Sequence, residues 1–165
     1  RMATFAPLLA HIEGWQWRPD LVWFDNLRMM RSTSYYVQQL YATNRGTASL
    51  PITLNGAAPA GKEGQNGLYA SAVIDDKAKC YIVKVANLLD EPQTVAIELR
   101  KLPRRRQLTG CVDRITLKCD DPIAENTLDT PDRIRPEASH EHCTSSVHTT
   151  ELNARSFSVL RIPFE

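Results

Sequence analysis

The run Lys79-Cys-Tyr-Ile-Val-Lys-Val-Ala-Asn-Leu88 decides the fold class. Tyr81, Val83 and Val85 alternate with Ile82, Lys84 and Ala86, and a period of two sends successive side chains to opposite faces of an extended strand. The same rhythm recurs in Val95, Ile97 and Leu99 against Ala96 and Glu98, and in Phe157, Val159 and Arg161 against Ser158, Leu160 and Ile162. Strands are expected over residues 50–54, 68–74, 79–88, 94–99, 106–117, 145–152 and 155–162. Turn formers punctuate them: Asn55-Gly56, Glu63-Gly-Gln-Asn-Gly67, Asp75-Asp76, Asp90-Glu-Pro92 and Asp120-Asp-Pro122. Strand after strand, with turns about every ten residues, predicts an antiparallel two-layer β-sandwich. Residues 124–137, with Pro131 and Pro136 and little periodicity, read as a long excursion over the surface.

The residues before Gly46 are of another kind. Eight of the twelve aromatics lie there, and all three tryptophans fall in the run Gly14-Trp-Gln-Trp-Arg-Pro-Asp-Leu-Val-Trp-Phe-Asp-Asn26. Residues 5–12, Phe-Ala-Pro-Leu-Leu-Ala-His-Ile, are nearly continuously apolar, which suits a strand of a parallel sheet buried on both faces. Leu21-Val-Trp-Phe24 reads as a second short strand, ended by Asp25-Asn26 as a turn or helix-entry cap. Tyr36, Val37, Leu40 and Tyr41 then share one helical face, so a helix is expected over residues 34–44. Ser32 or Thr33 caps its start, and Asn44-Arg-Gly46 supplies a left-handed stop. Two strands and a helix in 45 residues cannot close a core. This part is expected to be the edge of something larger.

Composition narrows the function classes. With 42% hydrophobic and 24% charged residues, the chain of 165 residues is that of a globular protein. No stretch reaches the roughly 20 apolar residues that a membrane helix requires, and a membrane partner is not expected. The net charge is +1, so nucleic acid is not an implied partner either. The basic cluster Arg100-Lys-Leu-Pro-Arg-Arg-Arg106 reads as a solvated loop. Cys80, Cys111, Cys119 and Cys143 follow no disulfide framework and are expected as thiols, with Cys80 acting as a small buried hydrophobe. His140-Glu-His-Cys143, with His148 beyond, superficially resembles a metal site, but the paired ligand spacing of a zinc site is missing. Neither metal nor cofactor is expected.

Several motifs resemble, in order, the C-terminal region of α-L-arabinofuranosidases of glycoside hydrolase family 51. They are Met2-Ala-Thr-Phe-Ala-Pro-Leu-Leu-Ala-His11, the tryptophan run 14–26, and Ser34-Tyr-Tyr-Val-Gln-Gln-Leu-Tyr-Ala-Thr-Asn-Arg-Gly46. Leu68-Tyr-Ala-Ser-Ala-Val73, Asn126-Thr-Leu-Asp-Thr-Pro131 and Ser156-Phe-Ser-Val-Leu-Arg-Ile162 continue it, so that nearly the whole chain is covered. The resemblance implies the last strand and helix of a (β/α)₈ catalytic barrel over residues 1–45, followed by a jelly-roll-like β-sandwich over residues 46–165. Two places depart from the family pattern, Ser32-Thr33 where Thr-Pro usually opens the helix and Ala154-Arg155 before the final strand. Both bear only on turn geometry.

The resemblance also implies a chemistry. Members of the family remove terminal arabinofuranosyl groups with retention, using two glutamates about 5 to 5.5 Å apart. No acid of this chain matches either glutamate motif, so both are expected upstream and no catalytic residue is expected here. The substrate-proximal candidates are His11, Glu13, Trp15 and Trp17. Glu13 follows the expected barrel strand on the face where barrel active sites are built. His11 ends that strand and either faces sugar or is a satisfied buried histidine. Trp15 and Trp17 either stack on a sugar ring or serve as packing, the more common role of large aromatics. The implied partners are an arabinose-containing polysaccharide or oligosaccharide, the catalytic barrel of the same polypeptide and, as an alternative, another copy of the chain in a homo-oligomer. An independent carbohydrate-binding module is the competing reading, but the sandwich offers only Tyr69, Tyr81, Phe157 and Phe164, too few for a row of exposed aromatics.

Overall fold

The computed structural model describes residues 4–57, 67–100, 110–143, 145 and 147–165. Most of the basic cluster, the turn residues 63–66 and the start of the expected strand 106–117 lie outside the described residues. The fold is mainly β, with a single helix among the described residues, and divides into two compact units. One comprises Arg1–Thr43 with Asp121–Arg135, the other Asn44–Asp120 with Pro136–Glu165. Most of the surface excursion 124–137 thus belongs to the same compact unit as the N-terminal residues.

In the first unit β1 (Leu9–His11) pairs parallel with β2 (Val22–Phe24), and β2 pairs antiparallel with β3 (Met29–Arg31). The expected first strand is shortened, and it is not buried on both faces. Ala10 is buried, but Leu9 is 59% exposed, because neighbouring side chains of a strand point to opposite faces and only the face of Ala10 is covered within this unit. The strand β3 was not anticipated, since three residues are too few to show a period. Asp25 makes the expected turn, its Oδ1 accepting the backbone N–H groups of Leu27 and Arg28 at 2.8 and 2.6 Å. The helix α1 (Thr33–Thr43) starts on Ser32, whose Oγ accepts the Tyr35 N–H at 3.2 Å. It buries Tyr36 and Leu40 and leaves Tyr41 exposed.

The second unit is the sandwich. Its larger sheet has six strands in the order β4 (Ala48–Leu50), β5 (Leu68–Asp75), β6 (Cys80–Asn87), β11 (Ser156–Pro163), β8 (Cys111–Lys118) and β9 (Glu137–His142), all antiparallel. The smaller sheet pairs β7 (Gln93–Glu98) with β10 (Val147–Leu152). Tyr81, Val83 and Val85 of β6, Leu160 and Ile162 of β11, and Leu152 of β10 form one core cluster drawn from both sheets. Inward alternation therefore does what the sequence pattern predicts. The strand expected over 50–54 lies instead at Ala48–Leu50, because Pro51 has no N–H to continue the ladder. Gly46 holds φ +69 and has Val73 and Ile74 so close that a β-carbon would stand 2.6 Å from Val73 Cγ2.

One end of the sandwich interior is polar. The Arg114 guanidinium, 8% exposed, donates through Nη1 to Glu141 Oε1 at 2.7 Å and to Thr150 Oγ1 at 3.0 Å, and through Nε to Thr116 Oγ1 at 2.9 Å. Glu141 Oε2 lies 2.7 Å from Nε2 of buried His148, so this network ties β8 and β9 of one sheet to β10 of the other. Burial works against the Glu141 carboxylate, but the hydrogen bonds from Arg114, Thr150 and His148 prevail and hold its pKa low. On the opposite face of the larger sheet buried Lys84 donates to the Asn44 carbonyl at 2.6 Å, and burial lowers the lysine's pKa.

Candidate functional site

The first unit contains a cleft of about 530 Å³. Trp15, Arg18, Asp20, Trp23, Glu125 and Asn126 are among its lining residues. Trp23 is held on β2 and buried, which fixes one wall. Trp15 stands edge-on to it, with ring centroids 5.7 Å apart and planes at 69°. Arg18 lies over both indoles, its Cζ 5.4 Å from the Trp15 ring and 5.1 Å from the Trp23 ring. The same guanidinium meets Glu125 at 3.2 Å, which binds residues 121–135 into the cleft wall. The face presented combines the two indoles with the Arg18–Glu125 ion pair.

Asn126 secures that wall. Its Nδ2 donates to the carbonyls of Arg31 and Ile134 at 2.8 and 2.9 Å, and its Oδ1 accepts the Ile134 N–H at 2.7 Å. The segment is further tied by Arg28 Nη1 to Asp129 Oδ1 at 2.7 Å. Asp20, 2% exposed, carries an Oδ2 with no hydrogen-bond partner among the described residues. A buried carboxyl oxygen left in that state is costly to folding.

The sequence-predicted residues separate. Trp15 lines the cleft and is 46% exposed, whereas His11, Glu13 and Trp17 do not line it. His11 Nδ1 accepts the Glu13 backbone N–H at 3.2 Å, and its ring packs edge-on against Phe24 at 5.3 Å. Glu13 is exposed, as is Trp17 at 59%. Asp20, Glu125 and Asn126 escaped the sequence reading. Asn126 opens one of the motifs that carried the family resemblance, but nothing in its pattern showed that the segment lies against the tryptophans.

The linear cluster around His140 is also taken apart. Cys143 is buried and donates its thiol to the Ser145 carbonyl at 3.1 Å, while His148 is buried against Glu141. His140 and His142 stay exposed on β9. Cys80 is buried, as its apolar setting predicts, and burial raises its thiol pKa.

Comparison with known proteins fits this arrangement. A probable α-L-arabinofuranosidase A of Aspergillus terreus is 32% identical over 162 residues, which are 97% of this chain and 23% of that protein. The chain thus spans about a quarter of the length of such relatives. An arabinose-bound MgGH51 α-L-arabinofuranosidase superposes with a TM-score of 0.80 at 28% identity, covering 97% of this chain and 24% of that one. The GH51 arabinofuranosidase of Xanthomonas axonopodis pv. citri shares the fold, with a TM-score of 0.69 at 23% identity over 87% of this chain and 28% of that one. The family pattern of the α-L-arabinofuranosidase C-terminal domain matches residues 1–156, and the chain belongs to that family, as the C-terminal region of a GH51 arabinofuranosidase.

Proposed function

We propose that this chain is the non-catalytic C-terminal part of an enzyme that releases terminal α-L-arabinofuranosyl groups from arabinan- or arabinoxylan-type polysaccharides with retention. The family match over residues 1–156 carries the reading. In it, both catalytic glutamates lie upstream of Arg1, and residues 1–45 complete a (β/α)₈ barrel. Two observations support this. The parallel pairing of β1 and β2 followed by α1 is barrel-like, and Leu8, Leu9 and Ile12 are 55, 59 and 39% exposed, apolar surface that further barrel strands would cover. The acids of the cleft also fit: Glu125 is paired with Arg18 and Asp20 is buried, so neither has the setting of a free glutamate pair.

Trp15 then contacts substrate in the intact enzyme, its half-exposed indole matching the apolar face of a furanose. His11, Glu13 and Trp17 lie near the rim in this reading, with Glu13 touching sugar rather than attacking it. The sandwich supports the barrel. An independent binding or oligomerisation module is the competing role, and Tyr69, 45% exposed, is the exposed aromatic on a sandwich strand that would serve it. Calorimetry of the chain against arabinan and arabinoxylan tests this. Support by the sandwich predicts no saturable heat, whereas saturable binding that survives Trp15→Ala and is lost in Tyr69→Ala would establish the module instead.

A further inference from the structure

We propose that Cys111, Asp113 and His140 form a zinc site on the β8–β9 ribbon of the sandwich. In the register of this antiparallel pair Asp113 stands opposite His140, and Cys111 opposite His142. Directly opposed residues share a face, and so do residues two apart on one strand. All four side chains therefore occupy one face of the ribbon, the exposed one. Ligand atoms of Cys111, Asp113 and His140 lie within 4.8 Å of one another, with His140 Nδ1 2.9 Å from Asp113 Oδ1. These separations are close to the edges of a tetrahedron with metal–ligand bonds of about 2.0 to 2.3 Å, so small side-chain rotations suffice to admit an ion.

The donor set decides which ion. A thiolate and an imidazole select zinc over magnesium or calcium, which prefer oxygen throughout. A thiolate, a carboxylate and a neutral imidazole also balance a divalent charge. Three protein ligands leave a fourth position for water, on the side where His142 stands across from Cys111. Arg161 stands opposite Asp113 on β11, and its guanidinium is engaged elsewhere, with Asn44 Oδ1 at 3.1 Å and Cys80 Sγ at 3.8 Å. Without an ion, the exposed His140–Asp113 pair contributes little to stability. The spacing along the chain hides this set, because Cys111 and Asp113 precede His140 by a long connection that only the β8–β9 register closes.

Cobalt(II) titration of the 165-residue chain, kept reduced and carrying Cys119→Ser to remove the other accessible thiol, tests the site. The expected result is a thiolate-to-cobalt charge-transfer band that saturates at a single equivalent and is discharged by zinc. Cys111→Ser abolishes the band, and Asp113→Ala or His140→Ala weakens cobalt binding by about tenfold or more, the scale of losing an interaction of a metal site. Circular dichroism confirms that these exposed-site variants are folded. Absence of the band, or a band indifferent to Cys111→Ser or to His140→Ala, overturns the proposal.

Discussion

Asn126 Nδ2 donates to the carbonyl of Arg31 at 2.8 Å, joining the end of β3 to a segment that follows most of the sandwich strands in sequence. Through this bond and its partners at Ile134, residues 121–135 become part of the N-terminal unit rather than an ornament of the sandwich. Asn126→Ala is expected to leave buried carbonyl and amide groups unpaired and to destabilise the first unit by about 1–3 kcal/mol. All three tryptophans lie in that unit. Tryptophan fluorescence should therefore shift to lower denaturant while far-ultraviolet dichroism of the strands changes less.

The Arg114–Glu141 pair predicts a larger effect. Glu141→Ala leaves the guanidinium buried at one end of the core without its carboxylate, and breaking such a pair costs about 3–5 kcal/mol. Replacing Arg114 by Met together with Glu141 by Gln removes both charges and should recover part of that loss. Urea unfolding of Arg114→Met, Glu141→Gln and the double variant measures the coupling; strictly additive losses would show that the network contributes nothing as a unit.

Acid should act through the same carboxylate. Burial alone would raise the Glu141 pKa, but the hydrogen bonds from Arg114, Thr150 and His148 hold it below the ordinary carboxylate range. A carboxyl with a depressed folded pKa contributes stability that is full above the unfolded value, about 4.3, and is lost as pH falls through the folded one. The stability gap between the native chain and Glu141→Gln is expected to be constant from neutral pH to about 5 and to narrow below about 4.3. A gap that widened on acidification would contradict the assigned hydrogen bonds.

Gly46 is predicted to resist substitution. Its φ of +69 and the close approach of Val73 and Ile74 leave no room for a β-carbon. Gly46→Ala should cost about 1–3 kcal/mol, the scale of a left-handed residue with added strain, read as a lower unfolding midpoint. Gly56→Ala, with the same sign of φ and nothing near, should cost less.

Much of the sandwich was legible because its interior is apolar where strands alternate. Tyr81, Val83 and Val85 announce β6, and Leu160 and Ile162 announce β11. The strand β9 escaped because Glu137-Ala-Ser-His-Glu-His142 is an exposed sheet edge with no apolar face to show a period. Arg114 and His148 occupy inward positions of strands found correctly, yet their burial depends on Glu141, which arrives from another strand. The candidate site divides along the same line. Trp15 was visible as part of an aromatic cluster, but Glu125 and Asn126 join its cleft only through long-range contacts, and nothing in the local pattern marks Asp20 as buried. Local pattern carries periodicity and capping; it does not carry the partner of a buried polar group.

The central claim is that the chemistry of arabinofuranoside cleavage lies outside this chain. Purified to remove every trace of longer enzyme, it is incubated with p-nitrophenyl α-L-arabinofuranoside and nitrophenolate release is followed. The account predicts release at the uncatalysed rate, unchanged by Glu13→Gln or Asp20→Asn. Turnover proportional to chain concentration and abolished by either substitution would contradict it.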